Sequence, residues 1–429
     1  MKINIITLGC SKNIVDSEHI AGHLRKAGFQ LYFDRERNDC DIVIVNTCGF
    51  IGDAKEESVN MLLEQIAVKQ RGRKQRKLIA VGCLVQRYRE ELQQEMPEID
   101  AFYGVHQWGE LVRSLEAEYH DSLEAERMQS TPRHYAYLKI AEGCNRSCSY
   151  CAIPQIRGRH VSRPMDDIVD EARRMVADGV KELIVIAQDT TYYGMDLYGS
   201  RQLGTLLERL ATESGAEWIR LHYTYPTSFP EDAIDAIARH DNICKYIDIP
   251  LQHINSRILE SMQRGIDREG TLALLQRFRE KIPGVAIRTT LIVGYPGEDD
   301  AAFEELKAFV RDVRFNRLGV FAYSPEEGTA AYALGDPIDD ETKERRIDEL
   351  MAIQEQISLE TNSEKEGKTY KVLIDRKEGE YYIGRTEQDS PEVDDEVLVS
   401  PHPTLKIGTF AQVTITEAME HDLYGKVAE

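Results

Sequence analysis

Three short apolar runs near the amino terminus each deliver a cysteine. INIITLG (Ile3–Gly9) leads into Cys10, DIVIVNT (Asp41–Thr47) into Cys48 and KLIAVG (Lys77–Gly82) into Cys83. Runs this short, β-branched and almost continuously apolar predict strands buried on both faces, as in a parallel sheet. The segments between them carry helical patterns. DSEHIAGHLRKAGF opens with an Asp16-Ser17 capping signal, and Val59, Leu62, Leu63 and Ile66 recur at helical spacing in AKEESVNMLLEQIAVKQ. Alternating strands and helices imply an open α/β sheet with right-handed crossovers. Loops at the carboxyl ends of its strands meet at one edge, where ligands bind in this architecture. Cys10, Cys48 and Cys83 are therefore expected to converge, and the residues alone leave open whether they form a metal site or buried core thiols.

The alternation stops in the polar stretch AEYHDSLEAERMQSTPRH and resumes at YAYLKIAEGC with wider spacing. Strands are predicted near Tyr137–Ala141, Leu183–Gln188, Trp218–His222, Tyr246–Pro250, Ile287–Val293 and Leu318–Ala322, with helices between them. One helix is marked by the apolar stripe Ile168, Val169, Ala172, Met175 and Val176. Six β/α units are too few for a closed eight-stranded barrel and fit an open, partial one with its chemistry at the carboxyl strand ends. Beyond the helical DDETKERRIDELMAIQEQISLETNSEKEG come KTYKVLID, EYYIGRT, DEVLVS, TFAQVTIT and DLYGKV, short strand-like runs separated by turn residues. They predict a small all-β barrel. The fold class expected is α/β: an N-terminal open parallel domain over 1–120, a linker over 121–132, a central partial (β/α)6 barrel over 133–362 and the β-barrel over 363–429.

EGCNRSCSYCAIP (Glu142–Pro154) follows the first central strand and sets Cys144, Cys148 and Cys151 at spacings of four and three in a turn-like stretch. A cubane iron–sulfur cluster normally takes four thiolates. With three, one iron keeps an open position that can chelate an amino group and a carboxylate, and S-adenosylmethionine has both. One electron passed into its sulfonium yields a radical that takes hydrogen from unactivated carbon. A zinc knuckle would need a fourth ligand at similar range, and His160 lies beyond a Pro-containing loop. Eight cysteines in such contexts, no signal-peptide pattern and no run near ~18 apolar residues point to a reducing, cytoplasmic setting with no membrane partner. Cys40 and Cys244 have no partner at ligand spacing and read as packing residues. A formal charge of −21 argues against wholesale nucleic-acid coating.

GCNRSCSYCAIPQIRGRHVSRP resembles the core motif of the radical S-adenosylmethionine methylthiotransferases, including the IP, RG and SRP that follow the cysteines. The resemblance covers essentially the whole chain, and the C-terminal barrel is similar to a TRAM domain. TLGCSKNIVDSE (Thr7–Glu18) looks most like the branch that modifies a ribosomal protein, whereas the tRNA-modifying branch reads closer to GCQMN. Ser11 stands where that first branch often has Pro. The resemblance implies two 4Fe–4S clusters, one on Cys144, Cys148 and Cys151 and one on Cys10, Cys48 and Cys83, the latter carrying the sulfur to be inserted. It implies S-adenosylmethionine as methyl and radical source, external electron and sulfur donors, and a small-subunit ribosomal protein as substrate, free or within the subunit, modified at the β-carbon of an aspartate. The alternatives are a tRNA adenosine methylthiotransferase and, in another class, a non-catalytic iron–sulfur sensor or electron carrier.

Other polar groups fall at predicted strand ends. Gln188 and Asp189 in LIVIAQDTTYYG, Gln252 in YIDIPLQHIN, and Gly294 and Glu298 in TTLIVGYPGE are the expected cofactor contacts. Helix capping explains Asp189 as an alternative, a turn explains Gly294 and Glu298, and His253 reads equally as a core histidine. No catalytic residue beyond the cluster ligands is assigned. KQRGRKQRK (Lys69–Lys77) packs six cations into nine positions, as a solvated helix end or a phosphate contact. From Glu366 to Glu429 seven Lys/Arg face fourteen Asp/Glu, a formal −7 that favours a basic protein over tRNA as partner.

Overall fold

The apolar runs that end in cysteines lie side by side. In the computed structural model, which describes residues 1–36, 39–72, 77–115 and 127–428, the N-terminal elements run β1 (Lys2–Thr7), α1 (Ser11–Lys26), β2 (Gln30–Phe33), β3 (Ile42–Thr47), α2 (Gly52–Gln70), β4 (Lys77–Gly82), α3 (Cys83–Glu95), β5 (Ala101–Tyr103) and α4 (Trp108–Ser114). The sheet order is β2-β1-β3-β4-β5, with every pairing parallel. Ile5, Ile44 and Ile79 stand abreast across the three cysteine-bearing strands. Strand alternation divides the side chains between two faces. Ile3, Ile5, Ile44, Ile79 and Val81 pack with Ile20, Leu24 and Leu111 of α1 and α4, while Val43, Val45, Leu78 and Ala80 pack with Leu62, Ile66 and Leu92 of α2 and α3. The sequence reading finds the three central strands and misses β2 and β5. Both are short edge strands, so they lack a continuous apolar run.

The central unit contains β6 (Tyr135–Lys139), β7 (Ala141–Glu142), α5 (Ile153–Arg157), β8 (Val161–Ser162), α6 (Met165–Ala177), β9 (Glu182–Ile186), α7 (Leu203–Glu213), β10 (Trp218–Leu221), α8 (Glu231–Arg239) and β11 (Ile243–Asp248). It continues with α9 (Ser256–Ser261), α10 (Arg268–Lys281), β12 (Ala286–Val293), α11 (Asp300–Val313), β13 (Arg317–Ala322) and α12 (Asp340–Ser363). Six parallel strands in the order β13-β12-β11-β10-β9-β6 form the open, partial barrel. Its outer face is apolar and covered by helices: Leu138, Val185, Ile219, Ile247 and Ile287 share one core with Ile168, Leu206, Ile237 and Leu274. The first predicted strand was set two residues late. The chain leaves β6 at Lys139, and Ala141 pairs instead with Ser162 in the short antiparallel β7–β8 ladder.

Five strands, β14 (Thr369–Glu378), β15 (Tyr381–Arg385), β16 (Glu396–Val399), β17 (Phe410–Ala418) and β18 (Asp422–Val427), close into the C-terminal barrel around Val372, Ile374, Val397, Val413 and Leu423. The segment between β15 and β16 does not stay with its own barrel. It enters the partial barrel from the amino ends of the strands and meets a set of inward-facing charges. Arg220 and Glu182 pair at 2.7 Å with no exposure of either, and Arg385 binds the other oxygen of Glu182 at 2.8 Å. Arg317 pairs with Asp389 and, at 3.0 Å, with Asp395. Arg288 reaches Asp394 at 3.3 Å, and the Tyr246 hydroxyl donates to Asp394 at 2.7 Å. The Ser390 hydroxyl meets the His222 ring at 3.0 Å. Burial pushes that imidazole down to about 3, so His222 is neutral in this packing.

Removing one partner from a buried ion pair leaves a desolvated charge unmatched, at a cost of about 3–5 kcal/mol. Glu182→Gln should therefore lower the unfolding free energy of the metal-free protein, measured by urea denaturation, by an amount in that range, with the midpoint falling in proportion. A midpoint equal to that of the native chain would mean that the two guanidiniums are hydrated.

Candidate functional site

Each N-terminal cysteine has a glycine beside it, at the carboxyl end of its strand. A Cβ on Gly9, whose φ is +85, would lie 2.7 Å from Cβ and 2.8 Å from Sγ of Cys48. One on Gly49 would lie 2.7 Å from the Leu84 backbone and 2.9 Å from the carbonyl carbon of Cys83. The three segments approach this closely because no side chain stands between them. Asn13, fully buried in the first turn of α1, ties them together. Its amide donates to the carbonyls of Leu8 (2.8 Å) and Thr47 (3.2 Å), and the Cys83 thiol lies 3.8 Å from its Oδ1.

The second triplet lies in the loop between β7 and α5. The Cys151 amide donates to the Cys148 carbonyl at 3.1 Å, and the Cys144 amide to the Gly158 carbonyl at 3.1 Å, closing the loop on itself. Donors converge on the sulfurs. The Arg146 amide lies 3.4 Å from Cys144 Sγ, and the Arg264 guanidinium and the Tyr225 hydroxyl each lie 3.3 Å from Cys148 Sγ. Burial pushes the thiols of Cys83 and Cys151 up to about 12 and that of Cys144 up to about 11. Such thiols ionise only against a strong local cation, which a metal centre supplies. Among the described residues no group of three or more His, Cys, Asp or Glu side chains is gathered tightly enough to hold a single metal ion. Three thiols surrounded by sulfur-directed donors suit a multi-iron cluster, whose terminal sulfurs stand further apart.

The segment after the second triplet packs against the end of the first domain that bears Cys83. Cys83 packs in one apolar cluster with Val105 and with Ala152 and Ile156, which follow directly on Cys151. Polar contacts lock the same junction. Arg157, 2 % exposed, donates to Asn13 Oδ1 at 2.6 Å and to both oxygens of Glu142 at 3.1 Å, and pairs with Asp16 at 3.0 Å. Lys139 pairs with Asp16 at 2.6 Å and with Glu142 at 2.9 Å. Burial alone would raise the Glu142 carboxyl, yet Lys139 and Arg157 hold it well below the usual carboxylate range. On the far side of this core the Lys12 ammonium sits 2.7 Å from the centroid of the Tyr223 ring, and burial pushes it down to about 8.

The expected cofactor contacts divide into two kinds. Gln188 donates to Glu142 at 2.7 Å while its Oε1 is buried without a partner. Gln252 sits at φ +76, a strained backbone for a residue with a side chain, and its Oε1 is also buried and unmatched. So is Nη2 of Arg146, whose guanidinium stacks 3.9 Å over the Tyr225 ring. Orphaned polar atoms beside a cysteine loop fit a polar ligand with its own donors and acceptors. Asp189 and Glu298 differ, because both oxygens of each are used within the protein. Asp189 caps the turn at Thr191 (3.0 Å to its amide) and pairs with Arg146 at 2.6 Å. Glu298 accepts from the Gly294 amide at 3.0 Å and from Arg346 at 2.5 Å, and meets His253 at 3.1 Å, with no exposure. Any ligand contact by either would be made by an oxygen that already has a partner within the protein. Cys40 and Cys244 are buried apart from both triplets. In the basic run, Lys69 pairs with Asp100 at 2.6 Å, and positions 73–76 lie outside the described residues. Arg146, Arg157 and Arg264 escape the sequence reading; the first two sit inside the quoted cysteine motif, where their arginine character was the available signal.

A partial parallel barrel with three cysteines in the loop after its first strand defines a radical S-adenosylmethionine enzyme, and residues 138–310 match the Radical SAM superfamily. Residues 2–104 match the family described as Uncharacterized protein family UPF0004, and residues 367–428 the TRAM domain. The chain is 53 % identical over 427 residues to the ribosomal protein uS12 methylthiotransferase RimO of Phocaeicola vulgatus, covering 99 % of each chain. It is 54 % identical over 428 residues to its counterpart from Bacteroides thetaiotaomicron, covering 99 % of this chain and 98 % of that one. The chain belongs to this RimO methylthiotransferase family. Among solved structures, the radical S-adenosylmethionine methyltransferase TsrM of Kitasatospora setae shares the fold at a TM-score of 0.55 and 14 % identity, over 74 % of this chain and 72 % of that one.

If the unmatched Gln252 amide meets S-adenosylmethionine, Gln252→Leu should weaken its binding about tenfold, the worth of one hydrogen bond in a dry site. Equilibrium dialysis on anaerobically reconstituted protein measures this, and an unchanged dissociation constant would remove Gln252 from the cofactor site.

Proposed function

We propose that the chain inserts a methylthio group at the β-carbon of an aspartate in ribosomal protein uS12. The observation that carries this reading is the packing of Cys83 of the first triplet with Ala152 and Ile156, in the segment that follows the second. When bound, a cluster on Cys144, Cys148 and Cys151 would supply the electron that cleaves S-adenosylmethionine to a hydrogen-abstracting radical, and one on Cys10, Cys48 and Cys83 the sulfur to be transferred. The protein's own groups do the rest. Arg264 and the Arg146 amide temper the thiolate charge at Cys148 and Cys144. Gln188, Gln252 and Arg146 bind and orient the co-substrate through their unmatched atoms. Arg157 and Asn13 hold one triplet in register with the other, and the buried apolar contact at Cys83 excludes water that would quench a radical.

The uS12 target is supported by the full-length identity to relatives of that name. Surface charge supports it further, with a correction to the count made from sequence. Asp389, Asp394 and Asp395 of the barrel are taken up by Arg317 and Arg288 of the central unit, while Asp375 pairs with the barrel's own Arg385, already in the count. Glu378, Glu380, Glu417 and Glu420 remain exposed. This smaller acidic face still suits a basic ribosomal protein and still disfavours a tRNA backbone. External electron and sulfur donors are part of the proposal, as is a cytoplasmic location. Among the described residues no helix is long and apolar enough to cross a membrane.

Anaerobic reconstitution should yield about eight irons per chain, the content of two cubanes. Replacing Cys10, Cys48 and Cys83 together by Ala should halve that content, keep reductive cleavage of S-adenosylmethionine and stop methylthio transfer. Mass spectrometry of uS12 and tRNA incubated with the reconstituted enzyme should find the adduct on a uS12 aspartate. An adduct on tRNA adenosine with uS12 unmodified would overturn the substrate, and stoichiometric zinc without iron would overturn the chemistry.

A further inference from the structure

Lys12 is 6 % exposed, yet among the described residues no carboxylate lies within ion-pair distance of its ammonium. Burying a cation without a counter-ion is strongly unfavourable, and every neighbouring carboxylate is committed elsewhere. Asp16 and Glu142 serve Lys139 and Arg157, and Asp248 serves Arg288 at 3.1 Å. No carboxylate is left to pair with it: Lys12 keeps the face of Tyr223, a contact that recovers part of the loss, and the nearby sulfur of Cys10.

That platform is itself held under strain. Tyr223 follows β10 at φ +56, the left-handed region that a tyrosine adopts only when its surroundings hold it there. Its amide donates to Asp248 at 2.9 Å, and its hydroxyl lies 3.3 Å from that of Ser11. Lys12 is the second residue of α1, two positions from Cys10, while Tyr223 stands at a carboxyl strand end of the radical barrel. The ammonium is thus placed close to Cys10 and against a carboxyl strand end of the radical barrel, at the helix end that favours negative charge.

We propose that Lys12 is the receptor for the side-chain carboxylate of the substrate aspartate. The inference rests on the functional reading above and adds the residue that selects the substrate. In aspartate the carboxylate is one bond from the β-carbon, so anchoring it fixes which hydrogen faces the radical and which carbon faces the sulfur. Of the Ser11 and Tyr223 hydroxyls, which share one hydrogen bond, one O–H is left to donate to the same anion. An asparagine or a neutral base offers no charge to this site, and leaving a buried ammonium unmatched is what makes such a site selective.

The test uses the reconstituted enzyme and two synthetic peptides of the uS12 target loop, one with the native aspartate and one with asparagine in its place. The native chain should bind the aspartate peptide about ten- to a hundredfold more tightly, the range of a charge-assisted hydrogen bond. Lys12→Met, which keeps length and apolar volume, should bring the aspartate peptide to the affinity of the asparagine one while leaving asparagine binding and iron content unchanged. Lys12→Arg should retain a preference. Equal affinities on the native chain, or a preference undiminished in iron-loaded Lys12→Met, would overturn the proposal. The first of these needs no variant to fold. Failure of the functional reading is distinct, since the native enzyme would then modify neither the aspartate peptide nor uS12 itself.

Discussion

A guanidinium withdrawn from water must be paired on every side, and the geometry of this protein hangs on one that is. Arg157 leaves the loop of the second triplet and ends among Asn13 and Asp16 of the first domain and Glu142 of its own. A lysine could not replace it. The planar fork binds Glu142 with one nitrogen and reaches Asn13 and Asp16 with another, a division that a point charge lacks. Asn13 carries the constraint on to the strand ends and Gln188 carries it to the ligand space, so one side chain sets the distance between the two sulfur-binding centres.

Legibility in the sequence followed how local each constraint is. Buried strands announce themselves because both faces are apolar, and Ile3–Gly9, Asp41–Thr47 and Lys77–Gly82 were readable for that reason. Edge strands bury one face or less, and Gln30–Phe33 gave no such signal. The cysteine loop was legible because its ligands share a dozen residues. The first triplet needed the topology rule that strand ends meet. Asp189 and Glu298 were visible as polar residues at strand ends, but whether their oxygens face a ligand or the protein depends on Arg146 and Arg346, which are remote in sequence. Lys12 was visible only as part of a motif; its isolation from any carboxylate is a property of three dimensions.

Charge shows the same limit. A net count treats every carboxylate as if it faced solvent, whereas this chain places three of the barrel's acids, Asp389, Asp394 and Asp395, against arginines of another unit. The pairing that binds the C-terminal barrel to the core is also what removes those charges from the molecular surface. Net charge here reports on domain docking as much as on partners.

The segment that fills the radical barrel is encoded within the last tenth or so of the chain. During synthesis the cysteine loop and all six core strands emerge before it. Until residues 385–395 arrive, Arg317 lacks Asp389 and Asp395, Arg288 lacks Asp394, and the Glu182–Arg220 pair lacks Arg385. Domains tend to fold in the order they leave the ribosome, but this core cannot finish alone. The amino end of the barrel is therefore filled only when translation is nearly complete, and a message truncated before the final barrel would yield a nascent chain whose buried arginines at that end are still open to solvent.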